Sequence, residues 1–276
     1  MKNIPAQTIY ELLSGTDGTF GLFIQDLESG KTFAVNETQV FPSASVIKIP
    51  LLGFLLKKVE EGTIDWNAAV EIAARNRVGG TGILAELDTA YCPSVRSLAV
   101  LMITLSDNTA TNQLIDLVGH EALNQFCLDM GYRHTVLGRK MLDFEALKEG
   151  KNNYMTAGEA GDMLAKIATG CFVSPWVSAQ MLDIMSKQQF RHKLPGLIPA
   201  VPCWASPEEK RELRPDTVMV ANKTGDLTGV QHDVGIFTLP DGRRYVIAAF
   251  SAELASDGEG VLTIARISQA VYQALQ

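Results

Sequence analysis

Strand-forming stretches lie at both ends of this chain, and a long helical block separates them. Near the N-terminus, TFGLFIQDLESGKTFAVN (residues 19–36) has the pattern of a hairpin with a turn at Ser29 and Gly30. Three further strand candidates lie near the C-terminus, at 217–225, 231–239 and 243–251. From about 45 to 190 the apolar residues repeat with helical spacing. The two ends of the chain therefore meet in one sheet, and the helical block is inserted between them.

This order of elements predicts an α+β fold, an α/β sandwich lobe joined to a helical lobe. The first lobe, residues 1–44 and 195–276, contains an antiparallel sheet flanked by the two terminal helices. The second lobe, residues 45–194, is all-α. The charged stretch at 205–216, which contains two prolines, is typical of a solvated connection. We expect an active site in the crevice between the lobes.

The composition excludes several classes of partner. The 276 residues are 46% hydrophobic and 20% charged, which is typical of a compact globular protein. A formal net charge of -7 argues against nucleic acid, since phosphate-backbone binders present a basic face. The N-terminus lacks the apolar run of a signal peptide, and no segment has the length of a membrane span. As it stands, the sequence predicts a monomeric cytoplasmic protein that is exported only if a leader has been removed.

The cysteines and histidines are scattered along the chain. The cysteines are Cys92, Cys127, Cys171 and Cys203, with no C-x-x-C pair and no histidine at metal-ligand spacing. We expect free, mostly buried thiols rather than disulfides. No metal site and no other cofactor is expected.

FPSASVIKIP (residues 41–50) places Ser45 three positions before Lys48 in an apolar run typical of a helix start. Positions i and i+3 share one face of a helix, so the hydroxyl and the amine would meet. A serine becomes a nucleophile when a base takes its proton, and a desolvated lysine can act as that base. The alternative is a serine cap followed by a lysine whose stem covers apolar surface. Pro50 is expected to remove a helical hydrogen bond in the second turn and to kink the helix.

Two further polar motifs follow apolar segments. S-D-N at 106–108 comes directly after the helical run SVRSLAVLMITL, and alone it would be a helix cap and turn. K-T-G at 223–225 ends the strand TVMVAN, and alone it would be a solvated strand end. The glycine of this motif suits close approach of a bound substrate to the backbone.

In this order, S-x-x-K, S-D-N and K-T-G resemble the active-site set of the serine β-lactamases and penicillin-binding proteins. Ser45 precedes Ser106 by 61 positions and Ser106 precedes Lys223 by 117, which is similar to the class A β-lactamase arrangement. The terminal helices, the early hairpin and the late strands also resemble that fold over nearly the whole chain. The resemblance implies a β-lactamase-like fold and a serine hydrolase that works through an acyl-enzyme.

By this resemblance, Ser45 is the acylated nucleophile, Lys48 is its hydrogen-bonded partner and candidate base, and Ser106 relays a proton to the leaving group. The backbone N–H groups of Ser45 and Asp226 correspond to the family's oxyanion hole. The implied substrate-binding residues are Asn108, Lys223, Thr224, Gly225 and Asp226. The implied partner is a small β-lactam or a carboxylate-bearing ester or amide.

The sequence departs from the family where deacylation is concerned. Class A enzymes carry a glutamate two residues after the arginine of a stretch like TVLGR, and it activates the deacylating water. Here Arg139 is followed by Lys140 and Met141, and a thioether cannot accept that proton. Asp143 and Glu145 come next, and a rearranged loop would bring either one toward the site. The alternative is that both are loop carboxylates in solvent.

Two other features differ from the family pattern. The family's common cysteine pair would fall at Leu52 and Ala99, so that disulfide is not expected. Many members place a carboxylate-binding arginine on the strand after K-T-G, where this chain has GVQHDVGIF. His232 and Arg243 are the candidates to replace it. His232 is otherwise a structural residue, and Arg243 is otherwise a surface residue.

The leading prediction is therefore β-lactam hydrolysis through an acyl-enzyme, with slow deacylation. One alternative is an esterase or D-Ala-D-Ala peptidase of the same mechanism, whose acyl groups leave without the missing glutamate. Another is a β-lactam-binding receptor that is acylated without turnover. Receptors of that kind need a membrane segment or an effector domain, and neither is visible in this sequence.

Overall fold

The computed structural model describes residues 3–202 and 216–276, and it centres on an antiparallel sheet. The strands are, in chain order, β1 (Thr19–Asp26), β2 (Thr32–Val35), β3 (Val40–Pro42), β4 (Tyr154–Thr156), β5 (Met219–Leu227), β6 (Val230–Thr238) and β7 (Arg244–Ala252). Five of them form one sheet in the order β2-β1-β7-β6-β5. Because β1 pairs with β7 along its whole length, the two ends of the chain meet at the middle of this sheet.

Helices cover the sheet and fill the middle of the chain. They are α1 (Ala6–Ser14), α2 (Lys48–Glu60), α3 (Val95–Thr104), α4 (Asn108–Val118), α5 (His120–Asp129), α6 (Phe144–Lys148), α7 (Ala157–Thr169), α8 (Pro175–Met185) and α9 (Asp257–Leu275). Side-chain oxygens of Ser94, Thr156, Ser174 and Ser256 cap α3, α7, α8 and α9 by accepting from a backbone N–H. These caps explain why each of the four helices begins at the residue that follows its cap.

The sheet has apolar layers on both faces. On one face, α1 and α9 bury Ile9, Ile264 and Val271 against residues such as Phe237 and Ile247. On the other face, alternate residues of the same strands join the core of the helical block. Each large apolar side chain that is fully buried in this way stabilises the fold by roughly 2 to 3 kcal/mol.

Helix α2 runs through the centre of the helical block and carries Lys48 at its first position. All residues from Lys48 to Leu56 are buried. Gly53 has no side chain because an added Cβ would lie 2.4 Å from the ring of Phe172. The helix is therefore surrounded by packed side chains, and it forms a rigid support for the lysine.

The helical block and the sheet share one continuous core. Helix α7 packs on the sheet, and Gly161 leaves room there for the ring of Phe23, whose nearest atom would lie 2.1 Å from an added Cβ. Strands β3 and β4 pair across the junction, with Phe41 opposite Met155. No sequence pattern predicts this small second sheet. The lobe boundaries at 44/45 and 194/195 stay a prediction.

The predicted α+β class is confirmed, and the predicted strand limits near the C-terminus lie within one or two residues of the observed ones. The sequence places Pro50 in the second helical turn and predicts a kink there. In the structure a 3-10 turn over Ala44–Ile47 comes first, and the α-helix begins only at Lys48, so the reason for a kink is removed. Pro50 thus lies in the first helical turn, where an N–H has no partner to lose. Cys203 and most of the stretch 205–216 lie outside the described residues.

The cysteines of the described chain are free, but only Cys127 is buried; Cys92 and Cys171 are exposed, against the expectation of mostly buried thiols. No helix in residues 3–202 and 216–276 is long and apolar enough to cross a membrane.

Candidate active site

Ser45 lies in the 3-10 turn that connects β3 to α2, and it lines a cavity of about 250 Å³. The residue before it, Ala44, has φ 45°, a left-handed conformation that costs an alanine about 1 kcal/mol or more. The segment is held from the sheet side by His232, whose Nε2 donates to the Pro42 carbonyl at 2.7 Å. Backbone strain at this position is thus maintained by fixed neighbours, as is common at active sites.

Lys48 is fully buried, and its amine points toward the S-D-N motif. Nζ donates to the Ser106 carbonyl at 2.7 Å, to Ser106 Oγ at 3.0 Å and to Asn108 Oδ1 at 3.0 Å. Within the described chain, Nζ makes no hydrogen bond to Ser45 Oγ. The sequence predicts a direct contact between these two groups, so the structure differs here by one hydrogen bond.

Ser106 is fixed by the loop in front of it and by the helix behind it. Its φ is 53°, and its carbonyl accepts from Thr81 Oγ1 at 2.7 Å. Next to it, Asp107 caps α4 through the N–H of Ala110 at 2.8 Å. The second carboxylate oxygen of Asp107 accepts from two backbone N–H groups of the loop, those of residues 83 and 84, at 2.8 Å each. One buried carboxylate therefore ties the loop, the serine and the helix together.

Lys223 reaches the same serine from the sheet. Its Nζ donates to Ser106 Oγ at 3.1 Å and to the Thr224 carbonyl at 2.8 Å. Ser106 Oγ thus accepts from two lysines at once, which leaves its own proton free to be donated. The neighbouring Thr224 Oγ1 is buried and has no hydrogen-bond partner in the described chain.

Burial makes both lysines readier to lose a proton. Desolvation lowers the pKa of Lys48 well below its ordinary value, and the nearby Lys223 charge lowers it further, against the pull of Asp107. Desolvation also lowers the pKa of Lys223 to about 7, although the carboxylates of Asp226 and Asp233 oppose it. A neutral amine at Lys48 is the form that can accept a proton from a hydroxyl.

Gly225 permits the close approach that brings β5 to the serine. An added Cβ would lie 3.1 Å from Ala44 Cβ and 3.2 Å from a methyl group of Val46. The sequence suggests that this glycine makes room for substrate, whereas the nearest neighbours of an added Cβ are the two residues that flank Ser45 and the ring of His232, which would lie 3.2 Å away. The K-T-G glycine therefore sets the width of the site.

The loop after Arg139 presents a thioether to the cavity. Met141 lines the cavity wall beside Leu142, whose φ is 58°. Asp143 instead caps α6 through the N–H of Ala146 at 3.0 Å and lines a separate cavity. Glu145 is exposed and paired with Lys148 at 2.8 Å. The structure therefore does not bring either carboxylate to the cavity that Ser45 lines.

His232 and Arg243 also lie away from that wall. The His232 ring is fully buried, with Nδ1 accepting from the Ser251 N–H at 3.1 Å and Nε2 donating to Pro42. Burial lowers the pKa of His232 to about 4, so the ring is neutral at physiological pH. Arg243 pairs with Asp241 in the turn before β7.

The predicted residues thus fall into three groups. Ser45, Ser106, Asn108 and Asp226 line the cavity. Lys48, Lys223, Thr224 and Gly225 are buried directly behind them. Asp143, Glu145, His232 and Arg243 are placed elsewhere.

Sequence reasoning missed the loop of Gly80, Thr81 and Gly82. Both glycines have positive φ, 84° and 99°, and an added Cβ would clash with Asn108 and with Asp107 respectively. The G-G-T-G run was the available signal, but it predicts only a turn. Sequence reasoning also missed Lys193, a third fully buried lysine.

Comparison with known proteins agrees with this geometry. Residues 4–275 match the model of the Beta-lactamase enzyme family. The chain is 26% identical over 281 residues to the extended-spectrum beta-lactamase PER-1 of Pseudomonas aeruginosa, which covers 97% of this chain and 86% of that protein.

Two solved structures are similar over almost the full length. A beta-lactamase from Sphaerobacter thermophilus DSM 20745 superposes with a TM-score of 0.86 at 29% identity, covering 99% of this chain and 97% of that one. PBP-A superposes with a TM-score of 0.83 at 31% identity, covering 97% and 94%. A leucine-to-glutamate mutant of PBP-A was solved as an acyl-enzyme complex with penicillin G.

Proposed function

This chain belongs to the β-lactamase enzyme family, and from that membership we propose that it hydrolyses β-lactams through an acyl-enzyme on Ser45. One observation carries the proposal. Ser106 Oγ lies 3.0 Å from Lys48 Nζ and 3.1 Å from Lys223 Nζ, beside the cavity that Ser45 lines. Three segments that are distant in sequence thus meet around one hydroxyl, which supports a role for Ser106 in proton transfer.

Acylation begins when Ser45 Oγ attacks the lactam carbonyl carbon and gives up its proton. Neutral Lys48 takes that proton through its lone pair, and since a neutral amine keeps only two N–H groups, one of its three contacts with Ser106 and Asn108 must give way to the Ser45 hydroxyl once substrate is bound. The carbonyl oxygen becomes an oxyanion, and the N–H groups of Ser45 and Asp226 stabilise it. When the C–N bond breaks, Ser106 donates its proton to the lactam nitrogen and recovers one from Lys48. Acylation is then complete without net loss of a proton.

Substrate recognition uses the charge and polar groups around the same cavity. Lys223 and the Thr224 hydroxyl, which has no hydrogen-bond partner among the described residues, suit a substrate carboxylate, and Asn108 suits a side-chain amide. Among the residues lining the cavity in the described chain, Asp226 is the single carboxylate. Its Oδ1 is held by Lys193 at 2.7 Å.

Deacylation is the step for which the cavity is poorly equipped. The wall offers Met141 where a carboxylate is needed to activate water, and Asp226 is engaged with Lys193. We propose that the acyl-enzyme forms readily and is released slowly. A D-Ala-D-Ala peptidase or esterase is the second candidate, favoured by the same thioether and by the likeness to PBP-A. A receptor that is acylated without turnover is the limiting case of slow release.

Intact-mass spectrometry and a chromogenic cephalosporin separate these outcomes. Wild-type protein should gain the mass of benzylpenicillin, and Ser45→Ala should gain none. Ser43→Ala is the matched control, since its hydroxyl lies two residues away, is fully buried and, within the described chain, hydrogen-bonds only to the Ala44 carbonyl. Absence of any adduct on wild-type protein at millimolar β-lactam would overturn the proposal. Product beyond one equivalent identifies hydrolysis, whereas a lasting adduct identifies the receptor.

A further inference from the structure

Lys193 lies behind the substrate-binding end of β5 and has no exposed surface. It belongs to the connection between α8 and β5. Its Nζ donates to the Gly225 carbonyl at 3.1 Å, to the His232 carbonyl at 3.0 Å and to Asp226 Oδ1 at 2.7 Å. An ammonium has three N–H groups, and all three are used here. Lys193 therefore acts on the protein itself and has no donor left for a substrate.

The contact with the Gly225 carbonyl fixes a peptide that matters for catalysis. The carbonyl of Gly225 and the N–H of Asp226 belong to one planar peptide unit, in which they point in opposite directions. Holding the carbonyl from behind therefore sets the direction of the N–H in front. A cation on the carbonyl oxygen also polarises the peptide and strengthens the N–H as a donor.

Two neighbouring contacts hold the ammonium in place. Gly225 is the β5 partner of His232 in the sheet, so Lys193 spans a single rung of the β5–β6 ladder. Its own chain is anchored one residue later, where the Leu194 N–H donates to Asp233 Oδ2 at 3.0 Å. The ammonium is thus located by the sheet on one side and by its own backbone on the other.

The ion pair with Asp226 does not by itself account for this burial. The Asp226 side chain is 49% exposed, whereas that of Lys193 is 0% exposed. Burying an ammonium costs several kcal/mol, and a half-solvated carboxylate returns only part of that cost. A residue that serves stability alone would be better replaced by an apolar side chain of similar size.

We propose that Lys193 is a positioning residue for acylation, which holds the Gly225–Asp226 peptide so that the Asp226 N–H points at the oxygen of the reacting carbonyl. The inference rests on the proposed function, because this N–H has a role only if an acyl-enzyme forms on Ser45. The charge of Lys193 also lowers the pKa of Lys223, and so it acts on a second group of the same site.

The test compares Lys193→Met with wild type and with Lys187→Met. Lys187 is the matched control, since it lies six residues earlier and pairs with Asp183 on the surface. Benzylpenicillin is the probe. The first readout is the second-order rate constant for adduct formation, and the second is the infrared stretching band of the ester carbonyl in the acyl-enzyme. The third is the thermal midpoint of each protein before acylation.

Lys193→Met should acylate about 100-fold more slowly, comparable to the loss of one oxyanion donor. Its ester carbonyl band should move to higher wavenumber, because a weaker hydrogen bond leaves the C=O bond stiffer. Lys187→Met should match wild type in the rate constant and in the position of the band. A structural role alone would lower the thermal midpoint without moving the band, and that result would overturn the proposal.

Two further variants keep the result decisive. If Lys193→Met does not fold, Lys193→Arg is tested with the same readouts, because its planar fork cannot place three N–H groups on the same three oxygens. Adding Asp226→Asn to Lys193→Met removes the unpaired carboxylate. Recovery of the wild-type rate in that double variant would show that Lys193 only neutralises Asp226, against the proposal. If wild type itself forms no adduct, the proposed function fails first.

Discussion

Asn112 holds both ends of the Met141 backbone with its side-chain amide. Its Oδ1 accepts from the Met141 N–H at 2.8 Å, and its Nδ2 donates to the Met141 carbonyl at 3.1 Å. Both residues are buried, and the bonds place Met141 in the cavity wall without help from its side chain. The backbone is therefore already positioned for a different side chain at this point.

Met141→Glu should accelerate release of the acyl group by about 100-fold or more, since a positioned general base contributes that much to water attack. The rate is measured by mass spectrometry as loss of the benzylpenicillin adduct after excess antibiotic is removed. Met141→Gln is the matched control, because it has the size and polarity of the glutamate without its basicity. Equal rates in the two variants would show that position 141 does not face the deacylating water.

Lys223→Arg should remove the alkaline limb of the acylation pH profile. The pKa of Lys223 is about 7, so its positive charge is lost as pH rises through neutrality, and substrates that carry a carboxylate then bind less well. Arginine stays charged, so the limb should move beyond about pH 9, at some cost in rate from the altered shape. The measurement is kcat/KM for adduct formation from pH 5 to pH 9.

The acid limb of the same profile provides the internal control. It reflects Lys48, which gains a proton as pH falls and then cannot accept one from Ser45. This limb should remain in Lys223→Arg. If the alkaline limb is unchanged in the variant, another group is responsible for it.

Gly82→Ala should destabilise the protein by roughly 1 to 3 kcal/mol and slow acylation. Its φ is 99°, and an added Cβ would lie 2.2 Å from a carboxylate oxygen of Asp107. The clash would break the link from Asp107 to the loop and release Ser106. Gly79→Ala is the matched control, since an added Cβ there meets nothing within 4 Å. Similar midpoints in urea for the two variants would contradict this account.

The sequence predicts the site residues that belong to short local motifs. It does not predict those whose role depends on contacts with residues far away in sequence. Ser45, Ser106 and Lys223 are predictable because each stands at a recognisable end of a helix or strand, in a short motif. Lys193 is not, because K-L-P is an ordinary stretch. Its burial arises only when the connection before β5 folds back under the strand.

The same limit explains the two differences near Ser45. Helical spacing predicts that Ser45 and Lys48 face each other, and a 3-10 turn also keeps positions i and i+3 on one face, but Lys48 Nζ hydrogen-bonds to Ser106, 58 positions away, and not to Ser45 Oγ. His232 was predicted either as a structural residue or as a substrate contact. The structural role is the observed one, because the ring hydrogen-bonds to the carbonyl of Pro42. Pro42 lies 190 positions away in sequence, and no local pattern reveals this contact.

His232 should make the stability of the protein depend on pH in the acidic range. Burial lowers its pKa to about 4, whereas a histidine in an unfolded chain titrates near 6.5. The unfolded chain therefore binds more protons between these two pH values. The free energy of unfolding should fall as pH decreases from about 6.5 to about 4, by roughly 3 kcal/mol from this residue.

Asp233 acts in the opposite direction over part of this range, because burial raises its pKa to about 6. The two contributions are separated by comparing wild type with His232→Gln, which keeps Asp233 and an amide donor for Pro42. The variant should be less stable than wild type at pH 7, and the difference should shrink toward pH 4. Urea unfolding at pH 4, 5, 6 and 7 gives both curves. Curves for His232→Gln that run parallel to those of wild type would show that its ring is not what titrates.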